Sequence, residues 1–339
     1  VARDYAWRNW WNGNKAQIVQ EVIIDVQPPK IEVLSQQHNL TQGGSGLVIY
    51  RLSEPCPVNG IHVGDNFFPG YAARSVLGES SANTYMSFIA LDYRQGRDTR
   101  MFVSATDRAG NQSKAGFHFY IRGRNFKKDI IRISDNFLNT KMPEFENETE
   151  EGSGSGLIDK FLEINRKLRV RNTDTLKQAA AESDPSLYWK GAFLRLPNSA
   201  RRANFADHRE YHYKDNTVDE QNHMGIDLAS TAHAPVPAAN AGKVVFTRAV
   251  GIYGDTIVLD HGFGLFSTYS HLSHVAVRVG QMVKRGEIIG NTGTTGLAGG
   301  DHLHFGMIVH NVFVNPVEWW DSSWIKNNIS NKINSAKKR

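Results

Sequence analysis

Three short spacings in the second half of this chain bring together side chains that could do chemistry. Residues 300–307 read GDHLHFGM, with His302 and His304 one residue apart. Residues 222–230 read NHMGIDLAS, with His223 and Asp227 separated by three positions, and residues 269–273 read YSHLS, with His271 closing a run of strand-forming residues. Imidazole and carboxylate are both good zinc donors, and imidazole also carries protons near neutrality. On a strand, successive side chains alternate faces, so His302 and His304 emerge together while Leu303 and Phe305 point the other way into apolar packing. Taken alone, that pair equally describes metal ligands, proton carriers or a solvated sheet face. Positions i and i+4 share a face on a helix, but Gly225 and the Ile226-Asp227-Leu228 alternation favour a loop entering a strand.

The elements that must position these groups read as strands. Residues 242–246, 255–260, 265–270 and 287–290 are β-rich runs separated by turn residues about every ten positions. They predict an antiparallel β-domain over 187–325. The glycine-rich stretch 290–300 (GNTGTTGLAGG) lacks the Gly-Lys-Ser/Thr ending of a phosphate-binding loop. Its glycines suit close backbone approach to an extended peptide. Thr294 in this loop and Tyr211 in 209–213 (REYHY) are candidate substrate-binding walls. His208, His212, His233, His261, His274 and His310 fit surface or hydrogen-bonded roles.

Upstream, residues 28–122 contain short strands such as 46–50, 85–91 and 117–121 and predict a β-sandwich. Residues 105–111 (ATDRAGN) resemble the A-x-D-x-x-G-N signature before the last strand of bacterial immunoglobulin-like domains. A faint echo of that signature in Asp4, Gly13-Asn14 and the run 18–24, ahead of Pro28-Pro29, reads residues 1–27 as the end of a preceding β-domain. Any signal peptide or membrane anchor would then lie upstream of Val1. Residues 123–186 read as a linker region with bracing helices. It holds an acidic and then Gly/Ser-rich run over 144–156, apolar Leu157, Phe161, Ile164 and Leu168 at helical spacing, and a second helix over 173–181. Residues 326–339 read as a solvated basic tail. The expected class is therefore mainly β with a few helices: an N-terminal immunoglobulin-like sandwich, a helical linker region and a C-terminal antiparallel β-domain.

Composition narrows the chemistry. At 339 residues with 40% apolar content the chain can fill two or three cores, and Cys56 is its one cysteine. An internal disulfide and a cysteine-based zinc site are thereby excluded, leaving His, Asp and Glu to hold any metal. Thirty-nine Lys and Arg against 34 Asp and Glu give +5, spread along the chain, so no nucleic-acid partner is expected. No run approaches the roughly 18 consecutive apolar residues of a membrane-spanning helix.

In order, and with Gly280, Val283, Gly286 and Ile289-Gly290 between them, the histidine segments from about His223 to Pro316 resemble the lysostaphin-like (LytM-type) zinc endopeptidases, which cut peptide cross-links of bacterial peptidoglycan. The resemblance implies His223, Asp227 and His304 as ligands of one zinc ion and His271 and His302 as catalytic histidines. Three protein ligands leave a fourth tetrahedral position for water, whose pKa zinc lowers towards about 7. No H-E-x-x-H motif offers a glutamate base, so proton transfer falls to His271 and His302 without the sequence saying which does what.

The activity implied is hydrolysis of amide bonds in peptidoglycan cross-links or stem peptides. It implies a bacterial envelope location, periplasmic or extracellular, with peptidoglycan peptides and other envelope proteins as partners. Two alternatives remain from the sequence: a catalytically silent activator of other wall hydrolases, and a surface-binding protein acting through the immunoglobulin-like domain. The segment 187–219 could also block the groove in a resting form.

Overall fold

The computed structural model describes residues 1–3, 15–20, 24–79, 81–148 and 156–338. The echo at Asp4 and Gly13-Asn14, part of the run 18–24 and most of the Gly/Ser run therefore lie outside the described residues. At the start of the chain, Ala2–Arg3 pairs antiparallel with Lys15–Ala16.

Two four-stranded sheets follow. One orders Ile31–Val33, Ser45–Leu52, Thr84–Ala90 and Tyr71–Ala72; the other orders Gln112–Gly116, Met101–Thr106, Val58–Val63 and Asn66–Pro69. All their pairings are antiparallel. Met101–Thr106 alternates buried and half-buried positions, the pattern of a strand with one face on a core. Ser45–Leu52 is buried almost throughout, because the C-terminal helical segment packs against it as well. The strand expected at 117–121 occupies Phe119–Arg122 instead and pairs in parallel with His38–Thr41.

The linker region does more than brace. Strand Lys128–Arg132 pairs in parallel with His208–Tyr213. Helix Asp135–Lys141 starts where the Ser134 hydroxyl accepts from Phe137 N at 3.1 Å, a standard N-cap. The two helices expected after it are one continuous rod: Leu157–Glu163, a π-turn over Ile164–Leu168, and Arg169–Ala179. No proline or glycine lies between Leu157 and Ala179 to break it.

The C-terminal half holds a ten-stranded antiparallel sheet. Its main path runs Ala200–Ala203, Ile226–Ala229, Leu303–Val309, Leu265–Val275, Gly254–Asp260, Gly242–Val250, Met282–Val283. Strand Leu303–Val309 is central and wholly buried, with Val312–Val314 folded back on it.

The basic end is not a solvated tail. Residues 322–336 form a continuous helical segment with a π-turn at Lys326–Ser330. Ile325, Ile329, Lys332 and Ala336 are buried, and Lys332 Nζ donates to Leu47 O at 3.0 Å. The apolar periodicity inside this basic stretch gives it a packing face that net charge conceals. Further contacts tie the halves together: Trp319 lies with Phe88, Trp189 and Phe193 at ring separations of 5.8, 5.5 and 5.6 Å. The Glu318 carboxylate accepts from Ser45 N at 2.8 Å and from Ser45 Oγ at 3.2 Å.

Candidate metal centre and active site

Register brings the first pair together. In the antiparallel ladder Asp227 stands directly opposite His304, so both side chains leave the sheet on one face. His223 lies in the loop that leads through Gly225 into Ile226–Ala229. A Cβ at Gly225 would sit 2.5 Å from His304 Nε2 and 2.8 Å from Phe305 O. Only glycine lets the loop pass this close to the ligand-bearing strand.

His223 Nε2, Asp227 Oδ1 and His304 Nδ1 form a triangle with all three sides 2.9 Å. His223 Nδ1 donates to Asn204 O at 2.9 Å, which leaves its Nε2 lone pair facing the triangle. His304 Nε2 is buried without a hydrogen-bond partner among the described residues. A proton on His304 Nδ1 could satisfy only one of two converging acceptors, whereas a cation satisfies all three. Tetrahedral donors around zinc, about 2.1 Å from it, lie roughly 3.4 Å apart, so the atoms need to spread by only a few tenths of an ångström. Two imidazoles and one carboxylate fit a catalytic zinc site.

Electrostatics favour the same ion. Burial pulls the His223 and His304 pKa values down, the latter to about 4, so both are neutral donors at neutral pH. Burial pushes the Asp227 carboxyl up, but its contacts with His223, His302 and His304 outweigh it and hold the group well below its usual range. Asp227 Oδ2 also accepts from Arg209 Nη2 at 2.7 Å. Arg209 lies opposite Asp129 in the parallel pairing of Lys128–Arg132 with His208–Tyr213, so the linker strand helps hold a site carboxylate.

The remaining two histidines flank the triangle. His271 has φ +63°, a left-handed backbone that costs a non-glycine residue energy. It sits in a β-bulge: Ile257 pairs with Tyr269 and Asp255 with Leu272, so Thr256 faces two residues. Ser270 is opposite His304, and regular alternation would send His271 to the other face. The bulge returns it to this one, 5.8 Å from His304 and 4.7 Å from His302 between ring centroids. His271 Nδ1 donates to Thr295 O and His302 Nδ1 to Gly300 O, both at 2.8 Å. Each Nε2 is therefore turned inwards, His302 Nε2 lying 3.6 Å from Asp227 Oδ1. Burial, with the neighbouring His302 and His304, puts the His271 pKa well below the usual value. Burial also acts to lower that of His302, but the Asp227 contact raises it overall.

These five side chains open into a cavity of about 380 Å³, also lined by Tyr211, Tyr253, Leu297 and Gly299. Tyr211 stands in its wall. Thr294 does not; it is exposed and its carbonyl accepts from Lys141 Nζ at 2.6 Å. The segment 187–219 contributes Arg209 and Tyr211, while the linker region contributes Ile131, Arg132, Ile133, Phe137, Phe161 and Arg169. Sequence reasoning missed Arg209, Arg169 and Tyr253. Arg209 shares a strand face with Tyr211, two positions on, so alternation could have found it. Nothing local marks Arg169, 42 positions from Tyr211, whose hydroxyl it approaches at 3.5 Å.

The profile of Peptidase family M23 matches residues 221–316. The peptidoglycan DD-endopeptidase ShyA of Vibrio cholerae is 40% identical over 96 residues, 28% of this chain and 22% of ShyA. The DD-carboxypeptidase/endopeptidase Mpg of Neisseria meningitidis is 38% identical over 95 residues, 28% of this chain and 22% of Mpg. The chain thus matches about a fifth of the length of these curated relatives. A crystal structure of an M23 peptidase from Pseudomonas aeruginosa aligns over 82% of this chain and 93% of its own with TM-score 0.52 at 18% identity, a likeness of fold. Residues 221–316, which carry all five converging side chains, are a domain of Peptidase family M23.

Proposed function

We propose that this chain is a zinc-dependent endopeptidase that hydrolyses amide bonds in the cross-links or stem peptides of peptidoglycan, acting in the bacterial cell envelope. The observation that carries the reading is the 2.9 Å triangle of His223, Asp227 and His304 with two further imidazoles aimed at the same space. The names of the M23 relatives support the substrate class.

His223 Nε2, Asp227 Oδ1 and His304 Nδ1 would hold one zinc ion, which when bound supplies Lewis acidity towards an amide carbonyl and acidifies water. The chain's own work is to hold and move protons. His271, neutral and with Nδ1–H committed to Thr295 O, presents a lone pair at Nε2 and suits the role of base. His302, whose pKa Asp227 raises, suits donation from Nε2 to the developing oxyanion or leaving amine. Arg209 keeps the second oxygen of Asp227 occupied, so the carboxylate offers the first. The sandwich in front, read as immunoglobulin-like, would position this domain on the wall. A silent activator would be expected to lack one of these five residues, and all five are present.

The test is digestion of purified cross-linked peptidoglycan by the metal-loaded chain, with and without chelator, and mass spectrometry of the products. New amine ends that vanish with chelator are expected. Their absence under every metal condition would overturn the reading.

A further inference from the structure

A second hollow lies away from the histidines. It measures about 760 Å³, lies where the sandwich edge meets helical segment 322–336, and shares no lining residue with the metal centre. Six carboxamides face it: Gln36, Gln37 and Asn39 from the sandwich, and Asn327, Asn328 and Asn331 from the helix. No carboxylate, histidine or cysteine lines it, so it is no cation site. Tyr120, 56% exposed, and half-buried Trp324 add aromatic rings.

The carboxamides here are mostly exposed to solvent. Among the described residues only Asn328 spends its side-chain amide, donating to Trp324 O at 3.1 Å. Lys332, 6% exposed, lines the hollow and donates to Leu47 O, which leaves two of its three ammonium donors unassigned. Gln37 holds φ +56°, a left-handed conformation seldom adopted by glutamine. Each asparagine in the helix is worse than alanine by roughly 0.6 kcal/mol, and the π-turn at Lys326–Ser330 is of a kind often found at functional sites.

Carboxamides each offer both donors and acceptors, which suits a ligand alternating hydroxyls with amide groups. Aromatic rings suit the C–H faces of pyranoses, and a buried ammonium suits a carbonyl or carboxylate oxygen. A neighbouring depression of about 530 Å³ shares Gln36, Gln37 and Asn39, so the surface continues past one ring's length. We infer that this groove binds a strand of N-acetylated amino sugars. The choice of glycan over another polar chain rests on the peptidoglycan reading above.

Calorimetric titration of the full, metal-stripped chain tests the groove without asking for catalysis. The probe is a β-linked N-acetylglucosamine tetramer, compared with cellotetraose, which lacks the acetamido groups, and with a short oligothymidylate. The tetramer should bind best, and Tyr120→Ala and the double variant Asn327→Ala/Asn331→Ala, all at exposed positions, should each weaken it by roughly tenfold. Both variants should cleave a glycan-free cross-linked peptide at the parent rate and intact sacculi more slowly. No binding of the tetramer, undiminished binding by both variants, or preference for the oligothymidylate would overturn the inference. Tetramer binding in a chain that cuts no peptide would sustain it while sinking the endopeptidase reading.

Discussion

At the scale of single residues, the five side chains at the centre divide by their hydrogen bonds. His304 meets both partner atoms of the triangle at 2.9 Å, whereas His302 stands 3.6 Å from Asp227 and outside the triangle. His304→Ala should therefore abolish both metal content and activity. His302→Ala should retain near-stoichiometric zinc and lose roughly 10²- to 10⁴-fold in turnover, the usual worth of a general acid or base. Metal analysis showing equal zinc loss in the two variants would contradict this division. Both expectations rest on spacing and resemblance. The bond from Arg209 to Asp227 was not legible in the sequence, because it joins residues 18 positions apart through a hairpin whose register no local pattern states.

At the scale of elements, the loop 223–226 and the helix 157–179 set what the site can admit. Gly225→Ala would push a methyl into the His304 ring and the Phe305 carbonyl. It should cost roughly 1–3 kcal/mol of stability and weaken zinc binding by about 10- to 100-fold, read by thermal denaturation and metal titration. Phe137, half-buried, lines the cavity from the linker side and packs on Phe161 at 6.4 Å between rings. Phe137→Ala should widen the space and raise kcat/KM on a bulky cross-linked peptide several-fold, with zinc affinity unchanged. Unaltered kinetics would show that this wall does not limit access. Helical spacing revealed the rod but not its task, since periodicity reports that a face is buried and not what it is buried against.

For the whole molecule, Glu318 couples the two halves. Burial pushes its pKa from 4.5 up to about 7, against the opposing bonds from Ser45. The folded chain then binds a proton that the unfolded chain has released, so this contribution to stability is full below about pH 4.5 and is lost as the pH rises through about 7. Glu318→Gln keeps an acceptor for Ser45 and removes the charge. It should match the parent at low pH and exceed it above neutrality by up to roughly 3 kcal/mol, measured by urea denaturation across the range. A constant difference at all pH values would assign the effect to packing instead.

The amino-acid sequence by itself determined the chemistry of the centre. Donor types, their order and the period-two placement of His302 and His304 are local properties, and so is the β character of the two large domains. Tertiary structure alone decided the rest. It placed Asp227 opposite His304 through register, and it turned His271 onto the same face through a bulge that strict alternation would have denied. It converted an apparently solvated basic end into a helix packed by one face against Ser45–Leu52, and it carried Phe137, Phe161 and Arg169 from a presumed brace into the wall of the site. Each of these depends on contacts between residues distant in the chain, whose energies belong to pairs of surfaces and not to either segment alone.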